Sequence, residues 1–370
     1  MRWCEISSAS CTPNAAASSR SSRPAASSAI SGAIGEAETL EDLIHSLEQA
    51  GPALDHATFA ALPSFALPAV PAASAAHTLI EVLDWHAAQH ADRLHLTVLQ
   101  DEATALGALT YGELATRAKR VAQGLIERDV SPGDRVGLIL PTSIEFFLAF
   151  FGILYAGAIP VPIYPPMRIS QLEDHLRRQT GILRNAGACM LITMPEGQQL
   201  AGLLGNLVDS LNTVASVAEI EASASPVTLP QLKDASAIAL IQYTSGSTGD
   251  PKGVVLSHAN LLANIRAMGT AMDARSTDVF VSWLPLYHDM GLIGAWLGCL
   301  YYAARLYVMS PLSFLIRPQS WLWAMHRYRA TFSAAPNFGF ELCLAKIADA
   351  DLDGLDLSSR CAWSPTVPSR

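Results

Sequence analysis

The sequence predicts an α/β fold, mostly parallel sheets wrapped by helices, and three observations carry that prediction. Amphipathic stretches of helical period alternate with short apolar, β-branched runs along most of the chain, the pattern of sheets covered by helices. Half of the 370 residues are hydrophobic and only 15% are charged, a composition suited to buried cores and unlike that of a disordered chain. Polar, glycine-rich stretches fall between the apolar runs, where an open sheet places its binding loops.

Residues 1–35 hold ten serines and eight alanines but no apolar core for secretion. Residues 36–50 place Leu40, Leu43, Ile44 and Leu47 on one face of a short amphipathic helix. An Ala/Pro-rich linker follows over 51–76. The chain thus divides into an extension and linker (1–77), a folded unit (78–359) and an aberrant tail (360–370).

Within the folded unit, residues 78–90 and 111–128 read as helices, the second with Leu114, Ala118, Val121 and Leu125 in register. Residues 135–140 read as a buried strand, 143–157 as a helix and 158–163 as a strand. A helix with a charged face over 170–186 leads into a strand at 189–193. Two apolar runs, 238–242 and 254–256, read as strands flanking a loop. Helix 258–272 and strand 278–283 follow. The uncharged stretch 290–304 reads as a buried helix, and strand 305–309 with helices 318–328 and 336–347 completes the series. Residues 146–167 also lack charge, yet Pro160, Pro162, Pro165 and Pro166 interrupt them. A buried helix and a core strand fit that stretch better than a membrane span.

Net charge is −9 and no basic cluster is present, which argues against a nucleic-acid partner. The six cysteines are scattered, with no C-x-x-C pair, and read as reduced thiols of a cytosolic protein. His86 and His90 stand four apart on a helix, but without a third ligand they read as a solvent face. Asp349, Asp351 and Asp353 alternate without the closing glutamate of a calcium loop and read as a polar turn. Trp321, Trp323, Tyr328 and Phe332 read as core aromatics, with the lining of an acyl tunnel as the alternative.

The strongest chemical signal is Tyr243-Thr244-Ser245-Gly246-Ser247-Thr248-Gly249-Asp250-Pro251-Lys252-Gly253. Its glycines let backbone N–H groups approach an anion, its Ser and Thr hydroxyls donate further hydrogen bonds, and Lys252 adds a mobile positive charge. Arginine outnumbers lysine twenty to four, so a lysine here stands out. A P-loop needs Gly-Lys-Ser/Thr opening a helix, whereas here Asp250-Pro251 precede the lysine and a β-branched run follows. The string is thus a clasp between strands for the terminal phosphates of a nucleotide. A second polar stretch, Ser282-Trp283-Leu284-Pro285-Leu286-Tyr287-His288-Asp289-Met290-Gly291-Leu292-Ile293-Gly294, lies downstream.

These two stretches resemble motifs of the adenylate-forming enzymes (acyl-CoA synthetases, fatty acyl-AMP ligases, amino-acid adenylation domains, luciferases). With GAIPVPIYPP at 157–166 and APNFGFELC at 335–343, the wording looks most like the fatty acyl-AMP ligase branch. The resemblance covers about residues 78–359 and implies an incomplete N-terminal domain of such an enzyme. It implies ATP with magnesium, and a fatty acid activated to its acyl-adenylate. Thr244, Ser245, Gly246, Ser247, Thr248 and Gly249 would cradle the β,γ-phosphates, Lys252 would neutralise departing pyrophosphate, and His288 would orient the carboxylate. The acceptor would be an acyl-carrier-protein thiol, or coenzyme A in the sibling long-chain fatty acyl-CoA ligases.

The last eleven residues, RCAWSPTVPSR, match nothing in that resemblance. Back-translated with GC-rich codons and read two bases later, the same letters spell LRLVANGAEPV, and Asn-Gly-Ala-Glu-Pro-Val is the segment the resemblance expects next. The expectation is a frameshift that truncates the domain there, before the parts that would grip adenine and ribose and before the small C-terminal domain. A non-catalytic remnant is then the alternative to turnover. The codons at the locus decide between the readings.

Overall fold

The computed structural model describes residues 68–165, 172–244, 251–358 and 362–365. The first elements are α1 (Leu79–Gln89), β1 (Leu94–Leu99), β2 (Ala105–Thr110), α2 (Tyr111–Ile126), β3 (Arg135–Ile139), α3 (Ile144–Tyr155) and β4 (Ile159–Pro162). Next come α4 (Leu172–Ala186), β5 (Ala188–Thr193), α5 (Gln198–Leu207), β6 (Thr213–Ala215), α6 (Val217–Ala222), β7 (Ile238–Thr244), β8 (Lys252–Ser257) and α7 (His258–Ala271). Strand β9 (Val279–Ser282) leads to a π-helix (Met290–Leu297), which runs into α8 (Gly298–Tyr302). The described chain finishes with β10 (Arg305–Met309), α9 (Pro311–Ile316), α10 (Gln319–Arg327), β11 (Phe332–Ala335), α11 (Asn337–Lys346) and β12 (Ala362–Pro365).

Helix starts follow local chemistry. The Thr78 hydroxyl accepts the Glu81 N–H at 3.1 Å while the Glu81 carboxylate accepts the Thr78 N–H, a capping box that opens α1. Thr110 with Glu113, and Ser257 with Asn260, open α2 and α7 in the same way.

A six-stranded sheet has the order β12-β11-β9-β10-β1-β2, and a four-stranded sheet the order β4-β3-β5-β6. Strands β7 and β8 form an antiparallel hairpin. Seven of the nine strand pairings among the described residues are parallel, so the expected mostly parallel architecture is the one observed.

Helix α3 is buried almost all round. Its Phe146, Phe147, Phe150 and Phe151 surround the Trp296 ring edge-to-face, with centroids 4.7–6.1 Å away. Helix α2 lies close against it. A Cβ on Gly152 would fall 2.4 Å from Val121 Cγ1, so glycine is what permits that approach. Among the described residues no helix is long and apolar enough to cross a membrane, which agrees with reading 146–167 as core.

The structure corrects several expectations. His86 is fully buried; its Nε2–H donates to the Tyr301 carbonyl at 3.2 Å and its ring lies 4.7 Å from Tyr111, so the solvent-face reading fails there. The covering element comes from more than two hundred residues downstream, beyond the reach of helical spacing. Residues 290–304 are buried as expected, but their first two turns are π-helical. Strands β1, β2, β6, β11 and β12 and helices α5, α6 and α9 go beyond the sequence expectations, and β12, within the tail 360–370, pairs in parallel with β11. In β1, His95 and Thr97 interrupt the apolar run, yet both are buried. The alternating aspartates form a short 3₁₀ turn, Asp349–Leu352, with Asp349 and Asp353 exposed, in line with a polar turn. The expected helix over 36–50 lies outside the described residues.

Candidate active site

Ser245, Gly246, Ser247, Thr248 and Gly249 lie outside the described residues, and the structure defines what stands on either side of them. Thr244 ends β7 and Lys252 begins β8, and the two are direct partners in the hairpin register. Directly opposed residues in an antiparallel pair share a face, so the last hydroxyl before the loop and the lysine after it flank one opening. Lys252 is exposed and takes part in no ion pair among the described residues.

The histidine stretch leaves the carboxyl end of β9. Trp283 stacks on Phe314 at 3.9 Å with the rings nearly coplanar, and the Ser282 hydroxyl accepts the Leu284 N–H at 3.1 Å. The chain then turns, the His288 N–H donating to the Pro285 carbonyl at 3.2 Å. Asp289 caps the π-helix by accepting the Met290 N–H at 2.8 Å. His288 Nδ1 lies 2.5 Å from Asp289 Oδ1. That hydrogen bond raises the imidazole's pKa above its ordinary value and lowers the carboxyl's, so the pair favours imidazolium against carboxylate.

Both stretches meet at one cavity of about 260 Å³, outside the carboxyl ends of β4, β7 and β9. Thr244, His288 and Asp289 line it together with Tyr164, Gln242 and Arg178. Gln242 Nε2 donates to the Tyr287 carbonyl at 3.3 Å, joining the β7–β8 hairpin to the histidine loop. Sequence reasoning missed Gln242 and Arg178. The Arg178 guanidinium lies 5.5 Å from the centre of the Tyr164 ring, and its Nε is buried without a hydrogen-bond partner. Arg178 sits on α4, read from sequence only as a helix with a charged face; nothing local marks it. Tyr164 could have been found, since it stands inside the GAIPVPIYPP string.

A second cavity, of about 560 Å³ and mostly apolar, borders the first. Asp289 lines both. Behind it stand Met290 and Ile293 of the π-helix, Leu261 and Met268 of α7, and Phe332 of β11. Of the four aromatics weighed for an acyl tunnel, Phe332 lines this cavity, whereas Trp321 and Trp323 are core. Among the described residues no three acidic, histidine or cysteine side chains converge as a metal site. Cys189, Cys299 and Cys343 are free thiols.

Comparison with known proteins agrees with this arrangement. The AMP-binding enzyme family matches residues 83–364. A medium-chain-fatty-acid–[acyl-carrier-protein] ligase, JamA, of Moorena producens is 33% identical over 299 residues, covering 79% of this chain and 50% of that protein. A structure from studies of fatty acyl-adenylate ligases of E. coli and L. pneumophila superposes with a TM-score of 0.74 at 34% identity, covering 78% of this chain and 51% of the other. The L. pneumophila fatty acyl-adenylate ligase in complex with acyl adenylate and pyrophosphate gives 0.71 at 32% identity, covering 80% and 51%. The chain therefore spans about half the length of the relatives it matches. With a family match across most of its length, and the β7–β8 hairpin and the histidine loop meeting at one cavity, the chain belongs to the AMP-binding enzymes.

Proposed function

We propose that this chain activates a fatty-acid carboxylate with ATP, giving an acyl-adenylate and pyrophosphate. The observation that carries the proposal is the place of Asp289, on the wall between a cavity that gathers the polar groups of Thr244, Arg178 and His288 and a larger, mostly apolar cavity. A fatty acid has that same division, a charged head and an apolar tail. A carboxylate oxygen attacks the α-phosphorus, the new C–O–P bond forms, and the bond to the β-phosphate breaks with its electrons leaving on pyrophosphate. The protein's work is positioning and charge neutralisation.

Thr244 and the hydroxyls of the following loop would hold the β,γ-phosphates, and Lys252 would meet the charge on departing pyrophosphate. Arg178 supplies a second positive charge inside the cavity, and its Nε needs an acceptor. His288, whose protonated form the Asp289 hydrogen bond favours, would attract the carboxylate head. Asp289's repulsion of that head would be offset by the paired His288 imidazolium, which lies 2.5 Å from Asp289 Oδ1. Magnesium would travel with the triphosphate; the described side chains offer it no cluster, and no step is assigned to it. The acyl group would pass to an acyl-carrier-protein thiol, the acceptor named for the Moorena relative, or to coenzyme A. The free thiols support a cytosolic setting.

The test is ATP–pyrophosphate exchange with saturated acids from hexanoate to octadecanoate. The wild type should exceed Lys252→Ala by about 10²-fold. Exchange no greater than that variant's removes the catalytic reading, and measurable ATP binding would then leave a nucleotide-binding remnant in its place.

A further inference from the structure

The apolar cavity does not end at its outer compartment. A second, narrow compartment of about 40 Å³ adjoins it, and Met268, Met272, Phe280, Gly294 and Phe332 line both. These five side chains and backbones form a collar between the two. Beyond the collar the inner compartment is lined by Ile265, Gly298, Cys299, Tyr302 and Ala304 among others, with Asp278 the one charged residue at its wall. Its volume has room for roughly three water-sized groups, enough for the last few carbons of a chain.

The π-helix explains how this path stays open. Its wide turns are closed by i→i+5 hydrogen bonds, the last running from the Gly298 N–H to the Ile293 carbonyl. Met290 lines the outer compartment, Gly294 both, and Gly298 the inner one, so positions four apart descend along one wall. A Cβ on Gly294 would meet no atom within 4 Å, and one on Gly298 would meet only the Ile293 carbonyl at 3.7 Å. Gly291, on the other side of the same helix, behaves differently: a Cβ there would fall 2.3 Å from the Pro285 carbonyl oxygen. Close packing accounts for Gly291. It does not account for Gly294 or Gly298, where the missing side chains leave a furrow.

We propose that Gly294 and Gly298 are nested gauges of acyl length, Gly294 admitting the chain past the collar and Gly298 setting how far it runs beyond. This rests on the fatty-acid reading and deepens it. Each methylene that finds apolar wall should tighten binding about fourfold, and the gain should stop where the furrow is blocked. A leucine at 294 closes the collar and confines the acid to the outer compartment. A leucine at 298 leaves the collar open and fills only the inner end.

The experiment is calorimetric titration of the full chain, with AMP present, against saturated acids from hexanoate to octadecanoate. The quantity read is the chain length at which affinity stops rising, for the wild type, Gly298→Leu and Gly294→Leu, with circular-dichroism melts confirming that each is folded. The expected order is wild type longest, Gly298→Leu shorter, and Gly294→Leu shortest. Coincident stopping points, or a Gly298→Leu stop shorter than that of Gly294→Leu, overturn the proposal. Should a leucine variant not fold, Tyr302→Ala lengthens the inner end and must move the stop to a longer acid; an unmoved stop overturns the proposal equally. Wild-type affinity with no dependence on chain length would sink the fatty-acid reading and this inference together, whereas length-dependent binding with unmoved stops sinks the inference alone.

Discussion

Gln242 Nε2 donates to the Tyr287 main-chain carbonyl at 3.3 Å, a bond between the strand that precedes the phosphate loop and the residue that precedes His288. The two motifs lie far apart in sequence, and this contact fixes the distance between the groups each would present to a shared ligand. Gln242→Met keeps the length of the side chain and removes the donor. It should cost about 1 kcal/mol in urea unfolding and lower pyrophosphate exchange about tenfold through misplacement of His288. Unchanged exchange would show that the contact only supports the fold.

The His288–Asp289 pair makes a pH prediction. His288's raised pKa means its attraction to Asp289 is fully present below the ordinary histidine value of about 6.5 and is lost as pH rises through the higher folded value. Asp289's lowered pKa means the attraction is lost at the acid end as pH falls through that lower value. Both side chains are more than half exposed, so solvent screens the effect on stability, and the titration itself is the better readout. In an NMR titration of the His288 ring, Asp289→Asn should move the midpoint down toward about 6.5. A midpoint that stays put would place the cause elsewhere.

Arg178 lines the smaller cavity, and its buried Nε has no hydrogen-bond partner among the described residues, so an anion there would give it one. Arg178→Ala should weaken pyrophosphate binding, read by calorimetry, by about ten- to a hundredfold, the worth of one charge-assisted hydrogen bond. Arg177→Ala is the control, because the neighbouring side chain is exposed and does not line the cavity. Equal losses in the two variants would reduce Arg178 to general electrostatics.

Three buried histidines set an acid limit on the fold. Burial lowers His86 and His258 to about 4 and His95 to about 3. Two serve as acceptors and so are needed neutral, His95 Nε2 accepting the Trp296 indole N–H at 3.1 Å and His258 Nδ1 the Leu79 N–H at the start of α1, while at His86 burial chiefly opposes the charge. Below about pH 6.5 the unfolded chain takes up protons that the folded one refuses. Stability is therefore full above that pH and falls toward pH 4 by about 1.4 kcal/mol per pH unit for each histidine. Denaturant unfolding at pH 7, 6 and 5 should show the slope, and His86→Phe should remove about a third of it. A slope that does not change in the variant would contradict this account.

Much of the fold was legible because its signals are local. The apolar register of α2 and the β7–β8 hairpin each depend on residues within a few positions of one another. Thr244 and His288, each expected from a local string, are brought by the structure to one cavity. What was not legible depends on residues far apart. His86 reads as a surface histidine until Tyr301 covers it, and Arg178 reads as one charge among many on α4 until β7 and the histidine loop enclose it. The π-helix has no sequence period of its own at this length, and only the packing of Trp296 among the α3 phenylalanines and against His95 reveals its register.

Gly291 offers the sharpest test of how the histidine loop is held. A Cβ there would fall 2.3 Å from the Pro285 carbonyl oxygen and 2.8 Å from that of Leu284, and both neighbours are backbone that cannot swing aside. The Pro285 carbonyl also accepts the His288 N–H, so the clash acts on the turn that aims His288. Overpacking of this kind costs about 1–3 kcal/mol when it is absorbed by a backbone shift. Gly291→Ala should therefore lose about that much stability, which thermal melts would register. It should also lose the elevated His288 midpoint in the NMR titration, because a displaced turn parts His288 from Asp289. Gly294→Ala, one turn on and open to the cavity, should change neither, since its methyl meets no neighbour. If both alanine variants titrate alike, the close packing at Gly291 is not what aims the histidine.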